Sequence, residues 1–463
     1  MKGLNDIVSL VNNFLTSYIL VVALVLGGIW FSFNLKFIQV RGFKEGMKRT
    51  FGGLFNKKEA AGADGMSSFQ ALATAIAAQV GTGNIAGAAT AIATGGAGAI
   101  FWMWVAAFLG MGTIYAEAIM AQKYKQVGVD GEVTGGPVYY IKAAFKGELG
   151  KVMAAVFAVL IVFALGFMGN GVQSNSIADA FYTAFGVPQF VMGAFVAVIA
   201  LFVFVGGIKR IAQVAELVVP FMAALYIVGS LIVIIAHGNR FLYALQSIFV
   251  GAFNPQAVVG GAIGATVKLA VTKGIARGLF SNEAGMGSTP HAHAVAKVNH
   301  PVEQGFVAMV GVFIDTFVVL NMTAFVILTS LDLSKVVDEA TGQTITGAKL
   351  TQAAYSTVFG KGGDIFIAIC LFFFAFSTII GWYFFGQANI KYLFGPKAVK
   401  IYAGIVAVCI FLGSLAKVEI VWNLADCFNS FMVVPNIIAL FALTNTIKQV
   451  HRDYFDNFKK KQK

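Results

Sequence analysis

Apolar and polar positions alternate along the 463-residue chain in long blocks, with extended apolar runs parted by short polar ones. About 20 apolar residues in a helix span a bilayer. On that rule the pattern predicts eleven spans. They lie near residues 15–36, 66–95, 97–124, 150–183, 187–206, 212–237, 257–287, 303–330, 363–391, 397–415 and 418–447. Two of these are poor helices. In the run 66–104, Gly81, Thr82, Gly83 and Asn84 interrupt an otherwise apolar segment near its middle. Glycine costs about 1 kcal/mol in a helix interior relative to alanine, so the pattern predicts a helix broken inside the membrane. The seventh span carries Lys268, Lys273 and Arg277 and a Gly-rich polar run over 274–287, which predicts a second break near 278–283. Backbone groups freed by a break in lipid need partners, and an ion or a polar solute supplies them.

Composition sharpens the class. Apolar side chains make up 58% of the chain, mean hydropathy is +0.80, and only 12% of residues are charged, against about 25% in soluble domains. The expectation is an all-α polytopic membrane protein and not an enzyme. No nucleophile elbow, phosphate loop or paired catalytic carboxylate is evident. The net charge of +12 sits in loops and the tail, where it sets topology rather than contacting nucleic acid. Arg41, Lys44, Lys48, Arg49, Lys57 and Lys58 form a basic amphipathic stretch predicted to lie on the membrane surface. With that stretch cytoplasmic, the N-terminus is outside and the C-terminus inside. Lys2, Arg240, Lys335, Lys349, Lys361 and Lys417 then fall outside, three basic residues lie in the seventh span, and the other 24 of 33 are cytoplasmic. The first run lacks a basic n-region and is read as a span, not a cleaved signal. Cys370, Cys409 and Cys427 lack metal or redox spacing and are read as packing residues. His291 and His293 are expected in a solvated loop.

Spans two to six and seven to eleven form two groups of five, and an odd count inverts one group relative to the other. This predicts a 5+5 inverted repeat whose first helices are the two broken ones. The divisions are 1–65 (first helix and amphipathic segment), 66–237 and 257–447 (the repeats), and 448–463 (a basic tail).

A zwitterion suits paired breaks, because helix ends expose N–H groups on one side and carbonyls on the other. The N–H groups at Gly81, Thr82 and Gly83 suit a carboxylate. Carbonyls ending the first half, such as Ala77 and Val80, suit Na⁺. Asn84 offers an amide oxygen to a second cation, and Gln79 a hydrogen bond to the solute. In span four, Phe167, Asn170 and Ser174 share one helical face, and Phe167 and Asn170 are candidates to line the solute. Gly278 and Phe280 stand at the second break. Ser377 and Thr378 offer adjacent hydroxyls to a cation, and Trp382, one turn on, walls a small pocket. Glu283 and Asp315 are candidate gating acids, expected to pair with Lys268, Lys273 or Arg277. Helix packing and back-bonding to i−4 carbonyls are the competing readings for these glycines and hydroxyls.

Val80-Gly-Thr-Gly-Asn-Ile-Ala-Gly87, running on to Gly95-Gly-Ala-Gly-Ala-Ile-Phe-Trp-Met-Trp104, resembles a signature of the alanine or glycine:cation symporter family. Arg277-Gly-Leu-Phe-Ser-Asn-Glu-Ala-Gly-Met-Gly287 resembles a second. The resemblance covers essentially the whole chain. It implies a leucine-transporter fold in the amino acid–polyamine–organocation superfamily. It implies Na⁺-coupled uptake of alanine or glycine across the cell membrane, with H⁺ coupling as the alternative and no organic cofactor. A functional monomer is expected; a channel or membrane enzyme is less in keeping. By the same resemblance, Ala77 and Val80 with Phe374, Ser377 and Thr378 fall on a Na⁺ site, Gln79 and Asn84 on another, and Gly81, Thr82 and Gly83 on the carboxylate-binding turn. Gln79 departs from the related pattern, where a small residue contributes only its carbonyl.

Overall fold

The computed structural model describes residues 14–52, 66–128, 131–254, 256, 258, 266–337, 345–416 and 418–461. Apart from a two-residue hairpin, β1 (Gln126–Val127) with β2 (Val133–Thr134), the described secondary structure is helical. Helix α1 (Tyr18–Asn34) precedes the amphipathic α2 (Phe43–Gly52). Next come α3 (Ser68–Gln79), α4 (Ala88–Gly95), α5 (Gly98–Lys123), α6 (Glu148–Phe185), α7 (Gln189–Val205) and α8 (Gly207–Ala236). After α9 (Phe241–Phe253) follow α10 (Val267–Asn282), α11 (Pro290–Val295) and α12 (Pro301–Ser330). The chain then forms α13 (Gly347–Phe359), α14 (Lys361–Phe394), α15 (Ala398–Leu415), α16 (Val418–Ala442) and α17 (Thr444–Asp453).

Among the described residues seven helices are long and apolar enough to cross a membrane: α5, α6, α8, α12, α14, α15 and most of α16. Helices α1 and α7 are shorter and apolar. Their outer faces carry the residues a lipid tail contacts. On α15, Ile401, Ile405, Val408 and Leu412 are exposed at helical spacing, while Tyr402, Val406 and Ile410 face inward. Small residues bring inner helices close. A methyl on Gly98 would stand 2.1 Å from the Gly251 backbone, so at that point α5 and α9 approach too closely for any side chain.

Both expected breaks are present, and the second lies later than the sequence indicates. Helix α3 begins with a capping box between Ser67 and Gln70 and ends at Val80 (φ −83°, ψ 83°). The chain resumes as a π-type turn over Gly83–Gly87 and continues into α4. Helix α10 runs unbroken through Gly278 and stops where Glu283 adopts a left-handed conformation (φ 57°). Gly285 (φ 85°) and Gly287 (φ 79°) carry the turn to α11, so the break occupies 283–289 rather than 278–283. Polar side chains at 278–283 suggested the earlier position, but the left-handed residues that stop the helix begin only at Glu283.

One further expectation changes, that for the histidines, and α2 gains a partner within the protein. Helix α2 docks on α12: Phe43 meets Phe313 edge-on at 4.8 Å, and Arg49 pairs with Glu303 at 2.7 Å. It therefore packs on protein, while Lys57 and Lys58 lie outside the described residues. His291 and His293 are buried on α11, not solvated. His291 Nδ1 meets the Ser288 carbonyl at 2.7 Å, and its Nε2 meets the Asn389 amide at 2.8 Å. His293 Nδ1 meets the Gln304 amide at 2.8 Å. The three cysteines are free thiols.

Candidate functional site

The two breaks face each other at the centre of the helices. Gln79 Nε2, on the last turn of α3, donates to the Asn282 carbonyl at the end of α10 at 2.6 Å. A methyl on Gly83 would stand 3.1 Å from Ser281 Cα, so the second half of the first break abuts α10 directly. Side chains satisfy the freed backbone of the first break. Gly81 N–H donates to Asn84 Oδ1 (3.1 Å) and Thr82 N–H to Gln173 Oε1 on α6 (3.2 Å). The Asn84 and Ile85 carbonyls accept from Thr323 (2.7 Å) and Thr351 (3.1 Å). At the second break, buried Glu117 of α5 accepts from Gly285 and Gly287 N–H, both at 2.9 Å, and from Asn436 Nδ2 of α16 at 2.7 Å.

The expected ion ligands converge across α3 and α14. Thr378 Oγ1 donates to the Ala77 carbonyl (2.9 Å) and the Phe374 carbonyl (3.1 Å). Ser377 Oγ approaches the same two carbonyls at 3.3 and 2.9 Å. Two hydroxyls and two carbonyls thus gather beside the helix end at Val80, and all five residues are buried. Oxygen-only ligand sets of this kind suit hard cations.

Around Asn84 the arrangement is different. Its amide nitrogen donates to Asp315 Oδ1 at 2.7 Å, and its oxygen is taken by Gly81 N–H. Asp315 also accepts from Ser281 (3.0 Å) and Thr316 (2.9 Å). Neither Asp315 nor Glu283 forms the expected ion pair. Glu283 accepts from Trp382 Nε1 at 2.5 Å and from the Ser288 hydroxyl. Arg277 instead pairs with Asp426 through two hydrogen bonds of 2.8 and 3.1 Å. The reason is reach: α10 points Arg277 toward α16, whereas Glu283 lies beyond the helix end, turned into the protein.

Aromatic side chains pack near the breaks. Trp382 lies against Gly169, where a methyl would meet its ring at 2.5 Å, and Phe280 meets Trp382 at right angles at 5.8 Å. Phe167 is half-buried against Tyr402 rather than turned to the break. Gly278 faces Met103 on α5, where a methyl would stand 3.2 Å from its Cα, so it serves helix packing and not the break. Asn170 Nδ2 is spent on the Gly166 carbonyl of its own helix at 3.0 Å. Gln79 Oε1, Thr82 Oγ1, Asn170 Oδ1 and Ser174 Oγ are buried without a protein partner.

Sequence reading missed four participants: Gln173, Glu117, Ser281 and Asn436. Ser281 stands inside the second signature run, and Gln173 and Glu117 are polar residues within predicted spans, which in a membrane helix is itself a signal. Their partners come from other helices, which no local pattern reveals. A cavity of about 460 Å³ lies beside the break and is lined by Thr90, Asn175, Asp179, Arg277, Lys349 and Trp422, among others.

Known proteins share this chain's organisation. The sodium/alanine symporter AgcS of Methanococcus maripaludis is 41% identical over 444 residues, covering 96% of this chain and 95% of that protein. The probable sodium/glutamine symporter GlnT of Bacillus subtilis is 41% identical over 452 residues, covering 97% and 91%. The crystal structure of MhsT in complex with L-phenylalanine superposes with a TM-score of 0.55 at 14% identity, covering 85% of this chain and 90% of that one. That likeness places the helices in the leucine-transporter fold. Residues 1–463 match the sodium:alanine symporter family throughout, and the chain belongs to that family as a multi-pass membrane transporter, not an enzyme.

Proposed function

We propose that this chain is a secondary symporter coupling Na⁺ entry to uptake of a small neutral amino acid, alanine or glycine, by alternating access. The observation that carries the reading is the convergence of Ala77 and Phe374 carbonyls with Ser377 and Thr378 hydroxyls beside the end of α3. Na⁺ takes the place of the hydroxyl protons at those carbonyls, and the hydroxyls turn their lone pairs to it. The ion then ties α3 to α14. The solute sits between the breaks, its carboxylate toward Gly81, Thr82 and Gly83. Orphaned oxygens at Gln79 and Thr82 are available to its ammonium group, directly or through water. Trp382 and Phe280 limit the side chain, which favours alanine or glycine over the glutamine in the relative's name.

The finer architecture follows the same reading. Eleven spans, the N-terminus outside and the C-terminus cytoplasmic, and a 5+5 inverted repeat with α3–α4 and α10–α11 as its broken first helices agree with the distribution of Lys and Arg. The unit is a monomer. The cavity lined by Arg277 and Trp422 is the outer vestibule. The Arg277–Asp426 pair, with Arg277 4.7 Å over the Trp422 ring, stands between that vestibule and Phe280 and acts as the outer gate.

A second reading, H⁺ coupling, rests on Asp315. This fully buried carboxylate has only neutral donors around it, so it takes a proton or a cation to offset its charge. Labelled alanine uptake into proteoliposomes separates the two readings. Na⁺ coupling requires an inward Na⁺ gradient. Equal uptake driven by a proton gradient alone overturns it and assigns the coupling to Asp315.

A further inference from the structure

At the opposite end of the molecule from the vestibule, α1 ends in an elbow. Lys36 and Phe37 both adopt left-handed conformations (φ 53° and 52°), which turn the chain sharply off the membrane helix. Helix α17 returns alongside, and between elbow and helix lies a cavity of about 560 Å³. Four basic side chains line it, Lys36, Arg41, Lys448 and Arg452, against one acid, Asp456. Lys448 reaches the Asn34 amide oxygen at 3.4 Å. Among the described residues, Lys36, Arg41 and Arg452 form no ion pair.

The apolar surroundings specify the kind of anion. Phe33 lines the same cavity and is 67% exposed on the last turn of α1, and Phe37 and Val40 are exposed on the elbow. Exposed rings beside the end of a membrane helix rest among lipid chains, as interfacial aromatics do. A site that is cationic inside and greasy on its membrane side fits a molecule with a phosphate head and acyl tails. We propose that the cavity between the α1 elbow and α17 binds the headgroup of an anionic phospholipid, its phosphate held by Lys36, Arg41 and Arg452 and its chains lying along Phe33. This site is separate from the paired breaks and does not depend on which solute or ion they carry.

His451, on the same rim, registers how concentrated the positive charge is. Burial first, and then Arg41, Arg452 and Lys36, push its pKa down to about 4, against a raising influence from Asp456. A headgroup phosphate relieves that mutual repulsion. It also bridges α1 to α17, whose other links here are Trp30 Nε1 to Thr444 Oγ1 (3.0 Å) and the weak Lys448 contact.

The test uses the full chain in detergent, titrated with dioctanoyl phosphatidylglycerol, dioctanoyl phosphatidylcholine or inorganic phosphate, and read by thermal melting. Phosphatidylglycerol is expected to raise Tm saturably, and the other two are not. Each surface cation contributes about fivefold to anionic-lipid affinity, so Lys36→Gln/Arg41→Gln/Arg452→Gln is expected to weaken the response about 100-fold. A charge-matched control, Lys146→Gln/Lys209→Gln/Lys400→Gln, is expected to behave as the parent. If the triple variant does not purify as a single species, Arg452→Gln alone is read, with about fivefold expected. Equal shifts with phosphatidylcholine, an equal loss in the control, or no loss in the cavity variants would overturn the proposal. An equal shift with inorganic phosphate overturns the lipid assignment and leaves a free-phosphate site.

Discussion

Gly81→Ala tests the ion site through sterics alone. A methyl there would stand 2.3 Å from Thr378 Oγ1 and 3.1 Å from Gln173 Oε1. An unstrained carbon–oxygen contact is about 3.3 Å, so roughly 1 Å must be found. Thr378 cannot yield cheaply, because its short β-branched side chain is held by the Ala77 and Phe374 carbonyls at 2.9 and 3.1 Å. Either the end of α3 retreats from α14 or the hydroxyl leaves both carbonyls, and each outcome dismantles the same ligand set. Overpacking of this kind costs about 1–3 kcal/mol. Falling on the ion-bound state, that raises the Na⁺ concentration for half-maximal uptake by about 5- to 150-fold. The assay is initial-rate uptake of labelled alanine into proteoliposomes over a Na⁺ series. Thr378→Ala removes both a ligand and the closest contact, leaving only contacts of 3.1 Å to Cβ and to Gln173, so Gly81→Ala is expected to add less on top of it than alone. Unchanged Na⁺ dependence in Gly81→Ala, or simple additivity of the two substitutions, would place the ion elsewhere.

Gly83→Leu drives a side chain into the Ser281 backbone, and isothermal titration is expected to show loss of alanine binding in a chain that still folds. Asp315→Asn keeps the shape but removes the charge. Uptake driven by a cation gradient is expected to fall at least about tenfold, and a parent-like rate would dismiss Asp315 from coupling. Arg277→Met strands the half-buried Asp426 carboxylate, so its melting temperature is expected to fall further than that of Arg277→Met/Asp426→Leu, which removes both charges. His451 gives a pH signature. The unfolded chain takes a proton near pH 6.5 and the folded one only near 4, so stability falls as pH drops through that window. His451→Gln is expected to flatten part of the slope in thermal melts at pH 7 and pH 5; parallel curves would refute it.

Much of the fold was legible because a bilayer imposes simple rules on length and polarity. The first break was readable from Gly81, Gly83 and Asn84, since the residues that stop the helix also form the turn. The second was misplaced because Ser281 and Asn282 look like loop residues yet end a continuous helix, and a left-handed Glu283 carries no composition signal. Ser377 and Thr378 were identifiable as a pair of adjacent hydroxyls inside an apolar span. Their acceptor on α3, the Ala77 carbonyl, came only from the family resemblance, because registry between distant helices is set by packing. The expected ion pairing of Glu283 and Asp315 failed for the same reason. Intramembrane acids are conspicuous in sequence, but whether Arg277 reaches Glu283 or Asp426 depends on where α10 aims it. His291 and His293 looked solvated because no carboxylate or cysteine stands near them in sequence; two of their buried partners, Asn389 and Gln304, come from α14 and α12.

Glu117 ties α5, the turn after α10, and α16 together at one carboxylate. Withdrawing that turn strands two backbone N–H groups in an apolar interior, at about 1–3 kcal/mol each, beside an unpaired anion. By contrast, α3 meets α14 at the ion site through two hydroxyls that can fall back on the Phe374 carbonyl within their own helix. Mechanical load therefore spreads unevenly. One seam is anchored by charge, and the other can part and re-form with a small exchange of hydrogen bonds. If the cation binds where we propose, it sits on the seam that parts, and its arrival and departure act as the latch of the cycle while the anchored side keeps its shape.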